Sequence, residues 1–304
     1  MIQITAGNKY MDIDAYASCL TYTKLLNSIG IEAIAVNTSN SINKSVPKSL
    51  LNTKYKFSSR LDNNNDFIIL DVCNPNMIAN EVLDGNIIEV IDHHPYYEFI
   101  DYWKERNANL VLDEIGSVCT IIYEKIKEKN KLEILDSDLC KLLIAGILDN
   151  TLNLNATITS KRDINAVNEL IKLGKIDKNF GENYFIECQN SYKDNIIQCI
   201  EDDLKDNLNY PIIPKTFGQL LVANYSFVKE YEKEIVKYMN VKYNNWIINF
   251  IALNERKSYI LTDSDTTAKS MNEILNGIII DNNIIRLNKF KLRKELLKIF
   301  VKDC

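Results

Sequence analysis

The first half of the chain alternates short apolar runs with segments of helical periodicity, and this alternation restricts the folds that it can adopt. The apolar runs predict strands at residues 2–5, 32–36, 67–70, 87–91 and 110–112, and the helical segments cover residues 15–29, 117–129, 137–148 and 160–173. Parallel strands need long crossover connections, which are usually helices. The pattern therefore predicts an α/β fold with a parallel sheet and helices on both of its faces.

The pattern loosens after Gly174, where a polar stretch at residues 177–190 predicts a linker. Beyond it, strands are predicted at 219–224, 246–253, 258–262 and 278–280, and helices at 193–204, 228–239, 267–275 and 292–300. The second and third of these strands are expected to form a hairpin. We therefore expect one domain at residues 1–176 and a smaller α+β domain at residues 191–304.

Size and charge argue against several classes of protein. A length of 304 residues exceeds the usual size of one domain, which agrees with two. The net charge of −5 argues against binding of nucleic acid through a basic surface. No run of about 20 apolar residues occurs, so no membrane span is expected. Asp12 and Asp14 interrupt any apolar stretch near the N-terminus, so no signal peptide is expected.

The cysteines indicate a reducing compartment. They number seven, an odd count, and no two of them form a C-x-x-C pair. Free thiols fit this distribution better than a disulfide framework does, and free thiols are typical of the cytosol. We therefore expect a cytoplasmic protein, while its oligomeric state stays open.

The two histidines of the chain are adjacent and follow an aspartate. Asp92, His93 and His94 come directly after the apolar run at residues 87–91, so they are expected at the end of a buried strand. Imidazole is the commonest metal ligand and titrates near neutral pH. The triplet could also be a hydrogen-bonded histidine pair without a functional role. Further carboxylates in similar positions favour a site.

Four more aspartates lie just after apolar runs in the first half, namely Asp12, Asp14, Asp71 and Asp149. Each alone could be a helix N-cap or part of a turn. In an open α/β sheet, however, ligands bind beyond the carboxyl ends of the strands, where these side chains would meet the histidines. Such a cluster of anions needs compensating cations, and its oxygen-rich ligands suit Mg²⁺ or Mn²⁺. The sequence thus predicts two divalent cations that share a bridging carboxylate.

These residues resemble the DHH phosphoesterase superfamily, in its branch of exopolyphosphatases and family II inorganic pyrophosphatases. The resemblance rests on motifs in the same order, which are Asn8-x-x-x-Asp12-x-Asp14, Asp71, Asp92-His93-His94 and Asp149. Two flanking segments, at residues 116–120 and 145–151, also resemble this branch. The resemblance implies hydrolysis of phosphoanhydride bonds.

The resemblance also implies a role for each residue. The first cation would be bound by Asp12 and Asp71, with Asn8 near it, and the second by Asp14, Asp71, His93 and Asp149. His94 would contact the substrate phosphate, with the option of acting as an acid. Asp92 would orient the histidines.

In the second half, Lys205 and the pair Arg293-Lys294 resemble residues that bind phosphate when the two domains of such enzymes close about the linker. Arg presents a planar fork to phosphate oxygens and Lys a point charge. Arg286 is an alternative to Arg293. The basic pair could equally be the solvated face of the last helix.

Residue 8 distinguishes the branches. Family II pyrophosphatases resemble this chain except that they have histidine there, whereas exopolyphosphatases and prune-like proteins have Gly-Asn, as Gly7-Asn8 does here. An amide ligand favours a harder ion such as Mg²⁺. We therefore expect release of orthophosphate from a small or polymeric phosphate substrate, in the manner of an exopolyphosphatase, with inorganic pyrophosphatase as the second candidate.

Two further alternatives stay open. One is a phosphodiesterase that cleaves short oligonucleotides or cyclic dinucleotides. The second half lacks the Gly-rich, His-containing motif of nanoribonuclease-like relatives, which argues against it. The other is a non-catalytic relative that binds phosphate or a protein partner.

Overall fold

The structure is a computed structural model that describes residues 1–94, 97–205 and 214–302. The chain divides into two compact units, Met1–Gly181 and Glu182–Cys304. Among the described helices, none combines the length and the apolar character that a membrane crossing requires.

The first unit contains a parallel five-stranded sheet with the strand order β2-β1-β3-β4-β5. Its strands are β1 (Ile2–Thr5), β2 (Ala33–Ala35), β3 (Asp66–Leu70), β4 (Asn86–Asp92) and β5 (Asn109–Leu112). Its helices are α1 (Ile13–Ser28), α2 (Lys48–Leu51), α3 (Asn80–Leu83), α4 (Ile100–Glu105), α5 (Val118–Glu128), α6 (Ser137–Asn150) and α7 (Lys161–Gly174), with 3₁₀ turns at Pro75–Met77, Tyr97–Phe99 and Leu132–Ile134. The predicted α/β class with a parallel sheet is confirmed.

The central strands form because their side chains are apolar on both faces. Phe67 and Ile68 of β3, and Val90 and Ile91 of β4, point to opposite faces of the sheet and are all buried. A strand that is covered on both faces reads as a continuous apolar run, as parallel strands usually do. The carboxyl ends of β3 and β4 are neighbours in this sheet, which brings Asp71 and Asp92 to the same edge.

Polar residues fix where the helices around this edge begin. Asp12 caps α1 by accepting a hydrogen bond from the backbone N–H of Ala15, and Ser117 caps α5 by accepting one from Cys119. Such caps satisfy backbone donors that the first helical turn leaves open.

A glycine lets three helices approach one another closely. A side chain at Gly146 of α6 would place its Cβ 2.5 Å from Sγ of Cys119 in α5 and 3.2 Å from Cα of Asp14 in α1. The first distance leaves no room for a methyl group unless the Cys119 side chain moves, and the second is shorter than an ordinary van der Waals contact. Glycine at this position therefore permits the close packing that sets the N-terminus of α5 beside Asp14.

The second unit contains a mixed sheet with the order β6-β7-β8-β10-β9, in which β6 and β7 are parallel and the other pairs antiparallel. Its elements are α9 (Ile196–Asp203), β6 (Thr216–Val222), α10 (Tyr225–Lys242), β7 (Trp246–Ala252), β8 (Lys257–Thr262), α11 (Asp265–Leu275), β9 (Ile278–Asp281), β10 (Ile284–Arg286) and α12 (Arg293–Lys302). The predicted hairpin is β7–β8, and the α+β class of this half is confirmed.

The stretch predicted as a linker differs in the structure. Residues 177–190 contain the helix α8 (Phe180–Asn190), in which Tyr184, Phe185 and Cys188 are buried. These three side chains lie at positions i, i+1 and i+4, which share one face of a helix. The polar residues between them conceal this face from an interpretation based on composition.

Candidate metal centre

The centre is built on the adjoining ends of β3 and β4. Asp71 follows β3, and its backbone N–H donates to the carbonyl of Ile91 in β4 at 2.8 Å. The backbone of Asp71 has φ +63°, a left-handed conformation that costs an L-residue about 1 kcal/mol or more. Strain of this kind concentrates at functional sites, where it aims a side chain.

Four side chains form a group that could hold a metal ion. Asp71, Asp92, His93 and His94 each offer one ligand atom, and these atoms lie within 4.8 Å of one another. His94 is the accessible member, with 43% of its side chain exposed, whereas His93 is 6% exposed. The group therefore has a buried end for an ion and an open end for a ligand from solvent.

The ring of His93 is fixed so that one nitrogen faces carboxylates. Its Nδ1 lies 2.9 Å from the carbonyl oxygen of Ile115, which can only accept a hydrogen bond, so Nδ1 carries a proton. Its Nε2 lies 3.4 Å from Oδ1 of Asp71 and 3.9 Å from Oδ2 of Asp14. A lone pair on Nε2 would thus face negative oxygens, unless a proton or a metal cation lies there.

The carboxylates that Nε2 faces also change the pKa of His93. Burial lowers it, but the hydrogen bond and negative charge of Asp71, together with Asp14, outweigh burial and raise the pKa of His93 to about 10. Burial and the nearby charges of Asp14 and Asp12 raise the pKa of Asp71 well above its ordinary value. The centre is therefore short of positive charge.

Asp92 orients the second imidazole. Its Oδ1 accepts from the backbone N–H groups of His93 at 2.7 Å and His94 at 3.1 Å, and it lies 2.8 Å from Nδ1 of the His94 ring. Burial lowers the pKa of His94, but Asp92 and Asp71 outweigh burial and raise it. His94 is thus held with its proton as a donor and partial cation at the open end of the group.

The donor set fits a divalent cation. Oδ1 of Asp71 is buried without a well-formed hydrogen bond in the described part of the chain, and the imidazole of His93 faces it. Carboxylate oxygen with imidazole nitrogen suits Mn²⁺, and a site with more oxygen suits Mg²⁺. An ion bound there would satisfy both groups.

Asp14, in contrast, is already saturated by protein donors. It is fully buried, and its Oδ1 accepts from Oγ of Ser117 at 2.7 Å and from the N–H of Cys119 at 2.8 Å. Its Oδ2 accepts from the N–H of Val118 at 2.9 Å and from Nδ2 of Asn150 at 2.6 Å. The open N–H groups and positive dipole end of α5 stabilise its charge. Its predicted role as a metal ligand stays a prediction.

The end of α6 brings a different residue to the centre from the one predicted. Asn150 contacts Asp14 and lies 3.4 Å from Nε2 of His93, whereas Asp149 is not part of the group that could hold an ion. Successive residues of a helix point about 100° apart, so only one of the two can face the centre. Asn150 occupies the place that the sequence assigned to Asp149.

Asp12 lies close to the group without joining it. Burial and the charge of Asp14 raise the pKa of Asp12, which also interacts with both histidines. The backbone N–H of Asn8 donates a hydrogen bond to the carbonyl of Met77, and its carbonyl accepts one from the N–H of Asn40. Their predicted contacts with a cation stay predictions.

In the second unit, two of the predicted phosphate-binding residues lie beside one strand. The backbone of Lys205 pairs with Phe217 of β6, and its side chain is exposed. Nη1 of Arg293 donates to Oδ2 of Asp203 at 2.6 Å and to the carbonyl of Phe217 at 3.2 Å. The guanidinium of Arg293 is therefore already engaged within its own unit.

The remaining basic residues are Arg286, the alternative to Arg293, and Lys294, which was predicted together with Arg293. Arg286 lies in β10, and its Nε is buried without a hydrogen bond among the described residues. Lys294 lies in α12, but its side chain is outside the described part of the structure. The assignment of these residues to phosphate stays a prediction.

Several residues that build the centre were missed by the sequence analysis. The carbonyl of Ile115 and the amide of Asn150 left no signal in the sequence, because neither is a typical ligand. Asp163 accepts from the N–H of Gly116 at 3.1 Å and from Oγ1 of Thr120 at 2.6 Å, and so fixes the loop before α5. Its capping box with Ser160 is a pattern that could have indicated it.

Known proteins resemble both the sequence and the fold. A probable manganese-dependent inorganic pyrophosphatase of Streptococcus thermophilus is 29% identical over 176 residues, which are 56% of this chain and 55% of that protein. The chain thus matches about half the length of this relative. A protein of the same name from Clostridium acetobutylicum is 25% identical over 262 residues, which are 83% of this chain and 80% of that protein.

Two solved structures share the fold. A Methanococcus jannaschii protein named a "putative family II inorganic pyrophosphatase" aligns over 99% of this chain and 100% of its own, with a TM-score of 0.60 and 18% identity. An exopolyphosphatase-related protein from Bacteroides fragilis aligns over 99% and 90%, with a TM-score of 0.53 and 15% identity.

The family model of the DHH family, N-terminal domain, matches residues 3–147, which include Asp12, Asp71 and the Asp92–His94 triplet. The resemblance drawn from these motifs is confirmed, while the branch indicated by Gly7-Asn8 stays a prediction. Residues 3–147 of this chain are a DHH-family N-terminal domain.

Proposed function

We propose that this chain is a divalent-metal-dependent hydrolase of phosphoanhydride bonds that releases orthophosphate from inorganic polyphosphate. The observation that carries the proposal is the uncompensated pair at the buried end of the group, where Nε2 of His93 faces Oδ1 of Asp71 at 3.4 Å. A bound cation would neutralise phosphate charge and make a nearby water more acidic. The relatives from S. thermophilus and C. acetobutylicum carry names that agree with such chemistry.

Different residues would bind the metal ion and contact the substrate. Asp71 and His93 would hold the ion, because both are buried and point their acceptors at one position. Asp92 holds the imidazole of His94 by a 2.8 Å contact, and the raised pKa of His94 favours its protonated form. His94 would therefore donate to a phosphate oxygen and could supply a proton to the leaving group.

Among the substrates, chains of more than two phosphates come first. The support is the amide of Asn8, which takes the place of a histidine that the resemblance implies for pyrophosphatases. Pyrophosphate is the second candidate, favoured by the names of the curated relatives. Among the basic residues assigned to phosphate whose side chains the structure describes, Lys205 is the most exposed, and we propose that it contacts the substrate.

A panel of substrates tests the proposal. Release of orthophosphate is measured from pyrophosphate, tripolyphosphate and long polyphosphate with Mg²⁺ or Mn²⁺, and a dinucleotide serves as the comparison. Metal-dependent release that is faster from tripolyphosphate or long chains supports the proposed substrate. Faster release from pyrophosphate selects the second candidate, and cleavage of the dinucleotide alone would overturn both.

A further inference from the structure

The amide of Asn150 is positioned by the carboxylate that it contacts. Its Nδ2 lies 2.6 Å from Oδ2 of Asp14, a distance that requires a donor facing a carboxylate oxygen. Turning the amide around would set two acceptors against each other. The same nitrogen lies 3.4 Å from Nε2 of His93. One neutral group therefore fills the space between the two side chains that were expected to share a cation.

The backbone holds Asn150 in this place. It is the last residue of α6, and the next turn is left-handed, with φ of 50°, 57° and 60° at Leu152, Asn153 and Leu154. The N–H of Asn153 donates to the carbonyl of Leu148 at 2.7 Å, and the N–H of Leu154 to Oγ1 of Thr151 at 3.1 Å. Consecutive left-handed residues are costly unless the surroundings enforce them. The side chain of Asn150 thus starts from a fixed backbone.

A cation between Asp14 and His93 would conflict with this amide. Oδ2 of Asp14 and Nε2 of His93 are 3.9 Å apart, and Nδ2 of Asn150 is 2.6 Å from the first and 3.4 Å from the second. A cation midway between these two atoms would lie closer to Nδ2 of Asn150 than the 2.6 Å that separates this nitrogen from Oδ2 of Asp14. That nitrogen has no lone pair to offer a metal.

The negative charge of Asp14 is also stabilised without a cation. Its four hydrogen bonds include two from backbone N–H groups at the start of α5, which stabilise an anion. Asp71 is different, because its Oδ1 is buried without such donors. The need for positive charge therefore lies on the side of Asp71.

From this geometry we infer that Asn150 replaces one of the two expected cations, so that the chain binds a single divalent ion at Asp71 and His93. This inference rests on the proposed metal-dependent function, but it concerns how many ions are bound rather than what is hydrolysed. Replacing Asn150 by aspartate restores a ligand and removes the donor that Asp14 uses. The variant Asn150→Asp should therefore gain a second ion.

Equilibrium dialysis against Mn²⁺, followed by elemental analysis, tests the inference on the full chain. The wild type should hold one ion per chain and Asn150→Asp two. Electron paramagnetic resonance of the bound Mn²⁺ should show an isolated ion in the wild type and exchange-coupled ions in the variant. The charge-matched control is Asn179→Asp, which adds a carboxylate at an exposed position of the same unit and should bind as the wild type does.

The variant has a second readout in its thermal stability. Without metal, the new carboxylate faces Asp14 with no donor between them, so Asn150→Asp should melt at a lower temperature than the wild type. Mn²⁺ should raise its melting temperature by more than that of the wild type. If the variant fails to fold, the ion count of the wild type still decides.

Two ions in the wild type, or no added ion in a folded Asn150→Asp, would overturn the inference. Neither measurement depends on a substrate. One ion per chain combined with no phosphate release would leave the inference standing and overturn the proposed function alone. Absence of bound Mn²⁺ in the wild type would overturn both.

Discussion

Nε2 of His93 lies 3.4 Å from Oδ1 of Asp71 while Nδ1 of the same ring is bonded to the carbonyl of Ile115. This relationship makes a proton and a metal ion competitors for one position, because either can join the imidazole to the carboxylate. The behaviour of the metal-free protein should therefore depend on pH in a direction that the structure fixes.

The metal-free protein should lose stability as the pH rises from about 6.5 to about 10. The raised pKa of His93, about 10, exceeds the ordinary value of about 6.5 expected in the unfolded chain. The stabilisation is therefore complete below the unfolded pKa and disappears as the pH rises through the folded one. Urea unfolding after chelation, compared with His93→Gln, measures it. A difference between the two proteins that stays constant or grows with pH would contradict the assignment.

Replacing Asp71 by asparagine should lower metal-dependent phosphate release at least about 100-fold, because the variant loses the carboxylate that faces His93. Its metal-free fold should persist, since a neutral amide relieves the repulsion from Asp14 and Asp12 that raises the pKa of Asp71. Activity and thermal melting are measured side by side. Asp66→Asn, at the opposite end of β3, is the matched control and should keep its activity. Unchanged turnover in Asp71→Asn would remove this residue from the centre.

Replacing Asp92 by asparagine should separate substrate handling from metal binding. Asp92 contacts the ring of His94, whereas the ring of His93 is held by Ile115. We expect a loss of activity of about 10- to 100-fold with nearly unchanged affinity for Mn²⁺. The pH profile should also shift, since the raised pKa of His94 depends on this carboxylate. An equal loss of Mn²⁺ affinity would show that Asp92 itself is a ligand.

Asp136 should stabilise the helix that carries Asn150, in a manner that depends on pH. It caps α6 through Leu139 and pairs with Lys54 at 2.7 Å. Burial raises the pKa of Asp136, but Lys54, the N–H of Leu139 and Tyr55 outweigh burial and lower it. At pH 7, Asp136→Ala should cost about 1 kcal/mol of unfolding free energy.

Asparagine at position 136 keeps the cap and removes the charge, so it isolates the electrostatic part. A lowered folded pKa means that this part is present above the unfolded pKa of about 3.9 and is lost as the pH falls through the folded pKa. Urea unfolding of wild type and Asp136→Asn should therefore converge below pH of about 4. Convergence on the alkaline side instead would show that the sign is wrong.

The sheet edge of the centre could be predicted from the sequence because it depends on local pattern. Apolar runs gave β3 and β4, and the residues that follow them, Asp71 and the Asp92–His94 triplet, meet because neighbouring parallel strands end together. The hairpin β7–β8 followed for the same reason, since two apolar runs were separated by a short turn.

The helical side of the centre could not be predicted in this way. Whether Asp149 or Asn150 faces His93 depends on the rotation of α6 about its axis, which packing at Gly146 fixes and which no local pattern records. The saturation of Asp14 depends on the N-terminus of α5, more than 100 residues away in the chain. Because these contacts are non-local, the sequence alone does not distinguish a carboxylate that binds an ion from one that accepts hydrogen bonds from a helix N-terminus.

At position 71, thermal stability and activity make opposite demands, because the backbone of Asp71 is left-handed. Glycine would relax the φ of +63° and remove a buried charge at the same time. Directed evolution for thermostability alone should therefore discard this aspartate early. A mutant library designed to raise the thermal stability of the protein would have to keep Asp71 unchanged.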